Sequence, residues 1–79
     1  MYYVYILKSI NYQQIYIGYT KNLKRRIDDH NCGRSGHTKK YKPWKIVYYS
    51  GFEKEHMARS FEEYLKTGSG IAFLRRHLI

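Results

Sequence analysis

Apolar residues fill both sides of the first extended stretch of the chain. In Tyr2 to Leu7, YYVYIL, a strand would place Tyr3, Tyr5 and Leu7 on one face and Tyr2, Val4 and Ile6 on the other. A strand apolar on both faces is predicted to be central in its sheet. The polar connection Lys8 to Gln13 leads into IYIGYT, Ile15 to Thr20, where Ile15, Ile17 and Tyr19 share one face and Tyr16 and Gly18 the other. Two strands joined this closely predict an antiparallel hairpin. Gly18 stands where a strand would carry a packing side chain, which marks a bulge or a close approach by a ligand or another backbone.

The period then changes. Leu23 and Ile27 form the apolar stripe of a helix that Thr20 or Asn22 can cap and Gly33 can stop. Arg26 and His30, four residues apart, lie together along the edge of that stripe and point toward the packed side or the cleft beside it. Gly33 to Pro43 has no helical period and reads as an exposed basic loop. Trp44 to Phe52 returns to strand chemistry. A second helix over Glu53 to Thr67 has Met57, Ala58, Phe61, Tyr64 and Leu65 at helical spacing and ends at Gly68. Ser69 can cap a final short helix with Ile71, Leu74 and Leu78 inward and Arg75, Arg76 and His77 outward. The order β-β-α-β-α-α describes one α/β domain over residues 1–79, a small three-stranded sheet flanked by helices.

Composition narrows what such a domain does. Fifteen Lys and Arg against six Asp and Glu give a net charge of +9, a field that gathers polyanions and makes nucleic acid the expected partner. The charge is uneven, because Asp28 and Asp29 are the only acids between Lys8 and Lys45. A lone cysteine, Cys32, excludes an internal disulfide, and no segment resembles a signal peptide or a membrane span, so a cytoplasmic location is expected. No phosphate-binding glycine loop or serine elbow is present. His30, Cys32 and His37 lack a fourth ligand and a recognised zinc spacing.

Several motifs converge on one family. YVY at Tyr3 to Tyr5, YIG at Tyr16 to Gly18, NLKRRIDDHN, KIVYY and EEYLKTG together resemble the GIY-YIG nuclease superfamily. Within it the chain resembles the small stand-alone bacterial proteins of the UPF0213 type, related to the N-terminal nuclease domain of a bacterial excision-repair enzyme. The first motif carries Tyr3 and Val4 where the superfamily name has Gly and Ile. The resemblance implies a metal-dependent DNA endonuclease built on a three-stranded antiparallel or mixed sheet. It implies that Tyr5, Tyr16, Arg26 and His30 are catalytic and that Glu62, with its neighbour Glu63 as the fallback, binds one Mg²⁺ or Mn²⁺, weakly until substrate arrives.

Chemistry gives each residue a task under that reading. Phosphodiester hydrolysis needs a deprotonated water and neutralisation of charge building on the phosphoryl oxygens. Tyr5 would accept the proton once nearby positive charge from Arg26 and the metal favours its phenolate. Arg26 would hold the phosphate with its planar fork, Tyr16 would orient water or phosphate, and His30 would assist proton transfer. Gly18 would keep the cleft floor low enough for the backbone of DNA to reach the hydroxyls. Lys21, Lys24, Arg25, Arg34, Lys39, Lys40 and Lys42 would supply sequence-independent phosphate contacts. Burial of Tyr5 in the core would defeat this assignment.

Three alternatives compete at particular points. Glu62 stands four residues before Lys66 and is also placed for an ordinary helix ion pair, as are Glu55 with Arg59 and Arg59 with Glu63. The scaffold would also serve as a nucleic-acid-binding module without turnover. A protein-interaction domain that meets an acidic partner is the third reading of so basic a surface.

Overall fold

The computed structural model describes residues 1–79. Strands β1 (Tyr2–Ser9) and β2 (Ile15–Thr20) precede helix α1 (Leu23–Asn31); strand β3 (Trp44–Phe52) and helices α2 (Glu55–Leu65) and α3 (Gly68–His77) follow. The sheet order is β2-β1-β3 and both pairings are antiparallel. The strand with two apolar faces is therefore the central one. Its register sets Tyr5 opposite Gly18 on one side and Tyr49 on the other.

The alternation of β1 divides the core in two. Val4 and Ile6 point to one face, where Ile17 joins Ala58 and Leu65 of α2 and Leu74 of α3. Tyr5 and Leu7 point to the other, where Trp44 closes a smaller cluster with Leu23 and Ile27 of α1 packed against it. Complete burial of a leucine such as Leu65 or Leu74 contributes about 1.5–3 kcal/mol, so a handful of side chains carries much of a small domain's stability.

Local signals explain the helix ends around the smaller cluster. The Asn22 side chain accepts a hydrogen bond from the Arg25 amide at 3.1 Å and starts α1. Gly33, at φ +78°, takes the left-handed conformation just past the helix end that a glycine adopts without strain. The loop that follows is less irregular than its composition predicts. It contains a single 3₁₀ turn, Lys39–Tyr41, and it buries Thr38 completely enough to make that residue part of the core.

The second half of the chain departs from expectation in two places. Gly68, expected to end α2, instead begins α3, because the Thr67 hydroxyl caps that helix by accepting from the Gly70 amide at 3.1 Å. Gly70 makes the tight corner possible, since a Cβ there would run into the Tyr64 carbonyl and the Leu65 Cα. Met57 and Tyr64, expected on the apolar stripe of α2, are exposed; the buried line is Ala58, Phe61 and Leu65. Ile71 and Leu78 pack as expected beside the buried Leu74, and Arg75, Arg76 and His77 face outward.

Candidate active site

The face of the sheet covered by α1 carries Tyr5, Tyr16, Arg26 and His30, while Glu62 stands on α2, which packs on the other face. Tyr5 extends from the middle of β1, Tyr16 from the start of edge strand β2, and Arg26 and His30 descend from successive turns of α1. His30 is the one fully buried residue of that helix, because its position on the stripe aims it at the sheet. Its Nε2 lies 2.9 Å from the Tyr5 hydroxyl and its Nδ1 lies 2.6 Å from Thr38 Oγ1. The Tyr16 ring packs against the His30 imidazole at 4.7 Å between centroids and against the Tyr5 ring at 6.2 Å. The His37 ring lies on the outer side of Tyr16, 6.2 Å away.

The direction of each hydrogen bond in this chain follows from its end. Thr38 Oγ1 donates to the Ser35 carbonyl at 3.3 Å, so it accepts from His30 Nδ1–H. Nε2 then bears a lone pair, and the Tyr5 hydroxyl donates to it. A neutral histidine satisfies every partner. Electrostatics agrees, since burial and then the Arg26 charge pull His30 down to about 4, with Asp29 opposing them.

Tyr5 is completely buried, the outcome expected to defeat its catalytic role. Its ring is enclosed by Leu7 and Trp44, while its hydroxyl sits at the polar junction with His30. Burial, with the Tyr16 hydroxyl adding to it, pushes the phenol up to about 12; Arg26 opposes the rise and Glu62 adds a further increment. The expectation that Arg26 favours the phenolate holds in sign, but burial outweighs it. Gly18 also has a reason different from the one expected. A Cβ at that position would overlap the Tyr5 hydroxyl and its ring carbon, so the missing side chain makes room for Tyr5 and not for a phosphate.

Arg26 is half-buried beside the Tyr5 and Tyr16 hydroxyls. Burial works against its charge, but the two hydroxyls outweigh it and the guanidinium stays firmly protonated. The salt bridges of the protein are Arg34–Asp29, Arg59–Glu55 and Lys66–Glu62, and Arg26 takes part in none. It lines a polar cleft of about 250 Å³ with Thr20, Lys21, Asn22, Arg25 and Asp29. A guanidinium without a carboxylate partner, at the edge of such a cleft, is suited to an incoming phosphate oxygen.

Glu62 forms the competing ion pair, with Lys66 Nζ 3.0 Å from its carboxylate. The Glu55–Arg59 pair also forms, at 3.4 Å, whereas Arg59 makes no bridge to Glu63 and lies instead over the Tyr19 ring. No group of three or more His, Cys, Asp and Glu side chains converges anywhere. That donor set fails for zinc or a protein-caged calcium ion. A lone carboxylate such as Glu62 is the kind of donor that a largely hydrated Mg²⁺ or Mn²⁺ ion takes, but here it is paired with Lys66.

The basic residues expected to contact phosphate lie on the surface. Lys21, Lys24 and Arg25 on and beside α1, and Arg34, Lys39, Lys40 and Lys42 on the loop, are all exposed. Arg34 is tied to Asp29 at 2.7 Å and so offers less free charge than the others. Nothing in the sequence marks Thr38 and His37 as neighbours of His30 and Tyr16. No periodicity marks them, because both lie in an irregular loop whose path only the folded chain defines.

The paired tyrosines, the buried histidine and the helix arginine thus meet on one face of the sheet. The GIY-YIG catalytic domain matches residues 1–70, and the chain belongs to the GIY-YIG family. It is 44% identical over 68 residues to a UPF0213 protein of Clostridium perfringens, an alignment covering 84% of this chain and 71% of that one. A UPF0213 protein of Pediococcus acidilactici is 38% identical over 71 residues, covering 86% and 71% of the two chains. The solution NMR structure of a UPF0213 protein from Bacillus halodurans is similar in fold, with a TM-score of 0.58 and 28% identity over 95% of this chain and 82% of that one. No helix of the protein is long and apolar enough to cross a membrane.

Proposed function

We propose that this protein is a metal-dependent endonuclease that hydrolyses DNA phosphodiester bonds with a tyrosine-activated water. The observation that carries the reading is the meeting of Tyr5, Tyr16, Arg26 and His30 in one cluster, with Arg26 unpaired by any carboxylate. In this scheme Arg26 seats the scissile phosphate and the half-buried Tyr16 orients it by its hydroxyl. Tyr5 takes the proton of the attacking water as it passes its own to His30 Nε2, so that no free phenolate forms. Phosphate seated on Arg26 cancels one of the two influences that hold His30 down and so makes the imidazole a better acceptor.

Glu62 would hold the Mg²⁺ or Mn²⁺ ion after giving up Lys66. When bound, such an ion supplies charge neutralisation at the phosphoryl oxygens and the leaving group. Because Tyr5 has no exposed surface, access to its hydroxyl requires the Tyr16 and Arg26 side chains to part. That burial and the Glu62–Lys66 pair are the observations that favour the second reading, a nucleic-acid-binding module without turnover.

Incubation of the purified protein with duplex, single-stranded and branched DNA distinguishes the two. The nuclease reading predicts strand cleavage that requires Mg²⁺ or Mn²⁺ and stops on chelation. Salt-sensitive binding with no cleavage in either metal would leave the binding module.

A further inference from the structure

A second groove lies on the same face of the sheet, between α1 and β3, with a volume of about 570 Å³. Tyr3, Tyr49, Ile27 and Ile46 line it, Lys21 and Lys24 stand at its rim, and no carboxylate lines it. Tyr49 is 57% exposed although it sits inside a strand, and it meets Tyr3 edge-on, with 6.4 Å between centroids and 61° between planes. An edge-on pair leaves a ring face uncovered. Lys21 rests its ammonium over the Tyr2 ring, which leaves Lys24 as the cation at the rim with no aromatic or carboxylate partner.

The groove adjoins the Arg25–Arg26 cleft across the Lys21–Asn22 turn. Lys21 and Asn22 line both, so the exposed tyrosine face and the Arg25 and Arg26 side chains lie on either side of the same turn. We infer that this groove receives an unpaired nucleobase of a single-stranded DNA segment, stacked on Tyr49, while the adjoining phosphates lie along the Arg25–Arg26 cleft. The inference rests on the nucleic-acid reading given above but not on catalysis.

The physical basis is selective. Every base has a π-face that an aromatic ring can stack on, but in duplex DNA those faces are covered by neighbouring bases. The lysine charge attracts either form of DNA, whereas the tyrosine distinguishes them. Trp44, the other large aromatic near this face, is buried and cannot serve. Tyr12 is 51% exposed but belongs to a different surface, between β1 and β2, and is the natural control.

The test is binding of a labelled oligothymidylate and of a blunt duplex of equal length, without divalent metal, by wild type, Tyr49→Leu, Tyr49→Trp and Tyr12→Leu. Tyr49→Leu keeps bulk on the strand but loses the aromatic face. It is expected to weaken single-strand binding about tenfold and leave duplex binding unchanged, the order of effect of one stacked base. Tyr49→Trp should keep the affinity and show indole fluorescence quenched by the single strand, and Tyr12→Leu should match wild type. Equal single-strand affinity for wild type and Tyr49→Leu overturns the inference, as does an equal loss on both DNA forms or the absence of quenching in Tyr49→Trp. If wild type bound neither DNA at low salt, the groove and the nucleic-acid reading would fail together. If the expected pattern appeared in a protein that cuts no DNA with Mg²⁺, the catalytic reading alone would fail and the groove would stand.

Discussion

Acidification is expected to destabilise this domain through one buried side chain, His30. In the folded chain burial and the Arg26 charge pull its imidazole from 6.5 down to about 4, while Asp29 resists. Between those values the unfolded chain carries a proton that the native chain does not, so stability rises with pH across that window and is lost as pH falls through it. A drop from 6.5 to about 4 at about 1.4 kcal/mol per unit sets a ceiling of roughly 3 kcal/mol. A protonated His30 would also turn an N–H toward the Tyr5 hydroxyl and displace the donor now placed there. The assay is urea unfolding of wild type and His30→Gln at a series of pH values between about 4.5 and 7.5, spanning the part of the window above the folded value. Wild type should lose about 2–3 kcal/mol more than the variant over that range. Parallel curves for the two proteins would refute a neutral, buried His30, and a wild type that gains stability on acidification would refute the sign.

Other predictions follow from single contacts. Thr38→Val keeps the shape but strands His30 Nδ1–H, which should reduce stability by about 1–3 kcal/mol in urea unfolding and redistribute the two imidazole tautomers seen by ¹⁵N NMR. Gly18→Ala drives a methyl into the Tyr5 hydroxyl and should destabilise by about 1–3 kcal/mol, read as a fall in Tm. Gly70→Ala meets backbone at the α2–α3 corner and should lower Tm further, whereas Gly68→Ala has open space around it and should leave Tm unchanged or raised.

The sheet is legible in the sequence because its signal is local. YYVYIL is apolar on both faces and becomes the central strand, and Asn22 and Gly33 bracket α1 with a cap and a left-handed stop. The α2–α3 corner is not legible in the same way. Gly68 and Gly70 read alike as helix punctuation, and only the approach of the Tyr64 carbonyl shows that Gly70 is the one the corner needs. In α2, Met57 and Tyr64 match the helical period but flank the buried line, because the sheet covers a narrower stripe than the period allows.

The candidate site divides in the same manner. Spacing places Arg26 and His30 together beside the apolar stripe, and the structure aims both inward from α1, but their site roles come from the family motifs. Tyr5 and Tyr16 are recognisable only through the family motifs, since ten tyrosines in so small a chain mask any special one. The burial of Tyr5 and the role of Gly18 in accommodating it depend on a cross-strand register that no single segment encodes. Thr38 depends on the path of an irregular loop, which brings a hydroxyl to His30 from eight residues further along the chain.

The central proposal is that the Tyr5 hydroxyl activates the attacking water, and Tyr5→Phe tests it with the fewest other changes. The ring stays in its enclosure and only the oxygen bound to His30 is removed. Cleavage of duplex DNA with Mg²⁺ should fall by about a hundredfold or more, while affinity for the same duplex, measured on the same preparation, stays at the wild-type value. Cleavage by Tyr5→Phe at the wild-type rate would contradict the account.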